Sequence, residues 1–156
     1  YAVWRARADR ALWLQDASVA LRFGVARVAA ERIPLHPFFG HGMDAVKLRW
    51  EEWGFPGTEK VHTHSTPVQI AFDRGLPALA FWLWLVAACW TTAARAEEVW
   101  RASDDAGTHG LMLGAMGAVA GFAASSLVNY NFGDAEAVLL FWWLMGATVM
   151  TVSSEQ

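Results

Sequence analysis

The sequence predicts an all-α protein: a polytopic helical membrane protein fragment in which a large extramembrane helical loop is followed by three transmembrane helices. Three observations carry this expectation. The 156 residues are 55% hydrophobic and include ten tryptophans, an unusual composition for a water-soluble domain. Residues 75–94, 110–133 and 137–154 contain no charged residue, and a run of about 20 apolar residues crosses roughly 30 Å of hydrocarbon at the helical rise. Within the second run Gly110, Gly114, Gly117 and Gly121 recur on one helical face, a small-residue stripe of the kind that admits a neighbouring helix at close range.

Taken in order, residues 1–16 mix Arg5, Arg7 and Arg10 with Trp4, Trp13 and Leu14, which reads as an interfacial helix or the tail of a preceding span. The chain starts at Tyr1 with no signal peptide ahead of it, and we expect it to be a C-terminal piece of a longer protein. Residues 17–33 are rich in helix formers and stop at Pro34. On that helix Ala20, Gly24, Arg27 and Glu31 share what we expect to be the solvated face, with Arg27 and Glu31 one turn apart. Arg22 falls on the other side, near Ala26, Ala29 and Ile33, where a guanidinium needs an anion, either a ligand or a buried partner such as Asp73 or Glu51. HPFFGHGMD, residues 36–44, is a Pro/Gly turn region, and one short helix is expected at Ala45 to Trp53. The domain organisation expected is therefore an extramembrane loop with candidate catalytic residues at 1–74 and a membrane domain at 75–156, with spans at 75–94, 110–128 and 137–154. Arg95 and Arg101, against no basic residue in 129–136, place the 95–109 loop in the cytoplasm and residues 20–74 outside.

The chemistry is concentrated in HTHSTPVQIAFDRGLP, residues 62–77. Ser65 or Thr66 can cap a helix, Pro67 suits its first position, and Gly75 with Pro77 ends it. His64 thus faces a helix N-terminus, whose partial positive charge disfavours imidazolium and attracts anions. A neutral His64 is a candidate general base. His62, two residues earlier, is either a supporting residue or half of a metal site completed by His41 or Asp44; the supporting role is the simpler reading, and we expect no metal and no other cofactor. Gln69 and Asp73, one turn apart, are placed to orient His64 or a substrate, or are plain surface polar residues. The lone Cys89 forms no internal disulfide. A net charge of -3 with interspersed signs gives no nucleic-acid footprint, and the glycine stripe, with no strand before it and no lysine after it, is not a phosphate-binding loop.

Arg22 stands fifteen residues before Pro37, HPFFGHG occupies residues 36–42, and His64, Gln69, Asp73, Gly75 and Pro77 follow at fixed offsets. In this pattern the chain resembles the O-antigen ligase and Wzy-type O-antigen polymerase family, with its "HPlfGvG" turn and its "HN-x-x-x-Q-x-x-x-E-x-G-x-P" segment leading into a span. NYNFGDAE followed by LLFWWLMG is similar to the family's last loop and span, so the resemblance covers residues 17–152. Ser65 stands where the family has Asn, and Asp73 where it has Glu.

The resemblance implies a multi-pass protein of the bacterial inner membrane with its active loop in the periplasm. The implied reaction is a metal-independent, inverting glycosyl transfer in lipopolysaccharide or polysaccharide biosynthesis. The donor is a glycan on an undecaprenyl-diphosphate carrier and the acceptor a hydroxyl of lipid A core or of a growing polysaccharide. Arg22 is then expected to bind the donor diphosphate and His64 to activate the acceptor, with His62, Gln69 and Asp73 binding substrate or supporting them. Two alternatives remain: a protein O-oligosaccharyltransferase of the same family, and a non-catalytic transporter-like membrane protein. Ionisable residues inside the spans would favour transport, and the three charge-free runs contain none.

Overall fold

The computed structural model describes residues 17–58, 61–101 and 105–153, and these form helices and turns with no strand. The fold class is all-α. Among the described residues six α-helices follow one another: α1 Ala17–Arg32, α2 Ala45–Leu48, α3 Thr66–Arg74, α4 Leu76–Arg101, α5 Ala106–Ser126 and α6 Ala135–Ser153, with 3-10 turns at Ile33–Leu35 and Asn131–Gly133. They divide into two compact units, Tyr1–Pro77 and Ala78–Gln156, the division falling inside α4. The expected helix within residues 1–16 lies outside the described residues.

In the first unit α1 presents Val25 and Ala29 to a core completed by Ala45, Val46, Trp50, Phe55 and Phe72. Pro34 sits at the start of the 3-10 turn that ends α1, as its missing N–H dictates. The expected solvated face is correct for Arg27 and Glu31, which form an exposed ion pair at 2.9 Å. It is wrong for Gly24, where a Cβ would overlap the Pro56 ring. Arg22, expected on the enclosed side, is exposed. The reason is that α1 is rich in small and apolar residues around its circumference, so polarity alone does not choose its buried stripe. The helix expected at Ala45 to Trp53 stops at Leu48. The chain turns after it to bury Trp50, which stacks on Phe55 at 5.0 Å and donates Nε1–H to the Gly57 carbonyl at 3.1 Å.

The second unit packs α4, α5 and α6 around Cys89, Ala93, Ala115, Val119, Phe141 and Met145, with Phe122 stacked on Phe141 at 4.4 Å. Ala93 and Ala115, not the glycines, are buried in this core. The helices run further into the loop than the charge pattern predicts. Glu97 is buried on α4 and accepts from Arg101 at 2.9 and 2.6 Å, and it lies 3.0 Å from His109 Nε2 on α5. Asp105 caps α5 by accepting from the Gly107 and Thr108 N–H groups at 3.0 and 3.1 Å. The hairpin at 129–136 is a 3-10 turn whose Asp134 accepts from the Glu136 N–H at 3.0 Å at the start of α6.

Among the described residues α4 alone is long and apolar enough to cross a membrane, and Ala135–Thr151 is a shorter apolar helix. Large apolar side chains nevertheless lie exposed on all three helices, among them Phe81, Trp84, Leu113, Leu140, Trp143 and Met150.

Candidate functional site

The two sequence motifs interlock. The 36–42 turn closes on itself through Gly40 N–H to His36 O at 2.9 Å and then caps the end of α3, with His41 N–H donating to Phe72 O at 2.7 Å and Gly42 N–H to Asp73 O at 3.1 Å. Leu76 N–H returns to Pro37 O at 2.7 Å. Carbonyls that a helix C-terminus leaves open are thereby satisfied. The close backbone approach explains the glycines: a Cβ on Gly40 (φ +68°) would overlap the Asp73–Arg74 peptide, and one on Gly75 (φ +87°) the Phe38 carbonyl.

His41 belongs to this interlock and not to a site with the other histidines. Its ring stacks on Phe72 at 4.5 Å, meets Trp53 edge-on, and donates Nε2–H to Arg32 O at 2.9 Å. The idea that His41 completes a metal site with His62 and His64 therefore fails on geometry. No group of three or more His, Cys, Asp or Glu side chains is placed to share a metal ion among the described residues.

At the other end of α3, the 62–65 segment is tied back onto the helix. Thr63 is buried; its N–H donates to Gln69 Oε1 at 2.8 Å and its hydroxyl to Ser65 O at 3.1 Å. Gln69 in turn donates from Nε2 to Asp73 Oδ2 at 2.9 Å. Gln69 and Asp73 are thus buried supports of the loop, and the surface reading of them is excluded. With Thr63 pointing in, His62 and His64 flank it, their rings 4.6 Å apart and edge-on. His64 has φ +53°, an uncommon conformation for a residue other than glycine, and its N–H donates to His62 Nδ1 at 3.1 Å. His62 must be unprotonated at Nδ1 to accept that bond. Ser65 is the N-cap by position, although its side chain makes no capping bond, and Pro67 occupies the second helical position rather than the first.

Electrostatics favour neutral histidines. Burial lowers the His64 pKa and the Arg22 charge lowers it further. For His62 burial is again the first cause, followed by His64, Lys47 and Arg22. Folding therefore releases protons from both. Their contribution to stability is fully present above the ordinary histidine pKa and is lost as pH falls below it. Asp73 is pushed the other way, first by burial, against the opposing Gln69 hydrogen bond. Its Oδ1 is buried without a hydrogen-bond partner, which favours the protonated carboxyl. That contribution to stability is present below the ordinary aspartate pKa and is lost as pH rises through the raised value.

Arg22 is exposed and makes no hydrogen bond or ion pair among the described residues, while Asp73, its suggested partner, is bonded to Gln69. The sequence reasoning missed Thr63 and the reciprocal roles of Gly40 and Gly75. The alternation in His-Thr-His is a period-two signal that would have pointed Thr63 inward. Comparison of the chain with family models, curated proteins and solved structures finds no significant match.

Proposed function

We propose that this chain works in a membrane glycosyltransferase of the O-antigen ligase and polymerase type. It would be multi-pass in the bacterial inner membrane, with the unit around α1 and α3 facing the periplasm. The observation that carries the reading is an exposed arginine with no protein partner among the described residues, whose charge reaches a half-buried, neutral histidine at the head of a helix. An unpaired guanidinium suits a diphosphate, and a neutral imidazole suits a hydroxyl proton. The sequence resemblance supplies the substrate class.

In the proposed reaction an acceptor hydroxyl oxygen attacks the anomeric carbon of the lipid-linked glycan from the face opposite the phosphate. The carbon–oxygen bond to the diphosphate breaks, and the carrier diphosphate leaves with the bonding pair. The hydroxyl proton passes to an imidazole nitrogen of His64, and the configuration inverts. Arg22 meets the negative charge of the leaving diphosphate, so no divalent metal is required. Thr63, Gln69 and Asp73 hold the loop, and His62 holds the His64 backbone.

The test is to measure transfer and donor binding side by side in the reconstituted protein. His64→Ala should lower transfer about 10²- to 10⁴-fold with donor binding retained. Arg22→Lys keeps the charge but loses the fork, and should weaken donor binding. Transfer at the unmodified rate by the His64→Ala protein would remove the base assignment.

A further inference from the structure

The first unit has an apolar core, yet Phe23, Met43 and Leu48 lie exposed outside it, and three more large apolar side chains do so together in one turn. Leu35, Phe38 and Phe39 are 63%, 69% and 89% exposed, while Trp50, Phe55 and Phe72 of the same unit are buried. The backbone of this turn is fixed by the bonds from Gly40 to His36, from His41 to Phe72 and from Leu76 to Pro37. That backbone presents Phe38 and Phe39 away from the core.

Leu76 decides what the tip faces. It is the first residue of α4, the helix long and apolar enough to cross a membrane, and it is itself exposed. Its N–H bond to Pro37 ties the turn to the first residue of that helix. Exposed His36 lies next to the tip along the chain, and exposed Arg74 lies two residues before Leu76. An arginine beside apolar surface at a helix entry suits lipid phosphates, with its stem lying along the apolar layer. Aromatic side chains with a charged rim are the composition of an interfacial anchor.

We propose that the 35–39 turn is seated in the interfacial layer of a lipid bilayer beside the entry of α4. It would keep the turn at the membrane surface, where a lipid-linked donor presents its diphosphate. This inference rests on reading α4 as a membrane span. Its test does not depend on glycosyl transfer.

Single cysteines replace Phe39, Trp84 or Thr58 in a Cys89→Ala background. Each is labelled with an environment-sensitive fluorophore in the whole chain, reconstituted into phosphatidylethanolamine/phosphatidylglycerol vesicles. Nitroxide lipids then quench from near the headgroup or from deep in the acyl layer. The Phe39→Cys label should lose fluorescence to the shallow nitroxide more than to the deep one, the Trp84→Cys label the reverse, and the Thr58→Cys label to neither. A Phe39→Cys label unaffected by either nitroxide, with the Trp84→Cys label quenched, would overturn the seating and leave the span intact. An unquenched Trp84→Cys label would overturn the span reading and the seating with it.

Discussion

Two sets of glycines do opposite things in this molecule. Gly40 and Gly75 sit at positive φ, each pressed against the other's turn, and a Cβ at either would collide with backbone. Gly110, Gly114, Gly117 and Gly121 lie in regular helix, and a Cβ at any of them would meet nothing within 4 Å. At 100° per residue the stripe is on the side of α5 opposite Met112, Ala115 and Val119, which are buried. The expected close approach along the stripe is therefore not made by any helix of this chain among the described residues. Required glycine here is a matter of backbone meeting backbone. A glycine repeat along a helix is not by itself evidence of a contact.

The sharpest way to break this contrast is Gly75→Ala. With φ +87° and ψ 175°, Gly75 occupies a region essentially reserved for glycine, where another residue costs about 1–3 kcal/mol in strain alone. Overlap with the Phe38 carbonyl adds a term of similar size, about 1–3 kcal/mol. We expect a large drop in the thermal midpoint or a loss of detergent-stable protein. An unfolding midpoint equal to that of the unmodified chain would mean that the interlock of the two motifs is not formed.

Next in size is Gln69→Ala. It leaves the buried Thr63 N–H and Asp73 Oδ2 without partners, at a cost of about 1–3 kcal/mol for each unmet group. Because Thr63 fixes the loop between the histidines, the variant should also raise the backbone mobility of His62 and His64, read as faster amide hydrogen exchange there. Unchanged exchange at both positions would show that Gln69 stabilises α3 without ordering the loop.

What was legible in the sequence followed local rules. Pro34 ending α1, Gly75 ending α3, the Arg27–Glu31 pair and the run of apolar helices after residue 75 each depend on neighbours in the chain. The Arg22 face was misjudged because α1 has no dominant apolar stripe, and only its contacts with α3 and the 45–55 turns select Val25 and Ala29 for burial. His64 was placed at the helix start correctly, but its left-handed backbone and the His62 Nδ1 acceptor depend on a loop tied down by Gln69 seven residues beyond His62. The loop at 95–109 reads as polar, yet Glu97, Arg101 and His109 knit the two helix ends together. Charge marks where a helix can meet water, and pairing lets it continue.

The smallest effect is expected at the stripe. Gly117→Ala meets open space and has no positive φ to relieve. Alanine also loses less backbone entropy than glycine on entering a helix, a gain of about 1 kcal/mol or less. In the isolated chain the unfolding midpoint should therefore stay level or rise slightly, and the packing of Phe122 on Phe141 should persist as an unchanged near-ultraviolet signal. A clear fall in the midpoint would mean that Gly117 is covered after all, by a second copy of the chain or by residues outside those described. Measuring the fall against protein concentration separates these, because only contact between copies weakens on dilution.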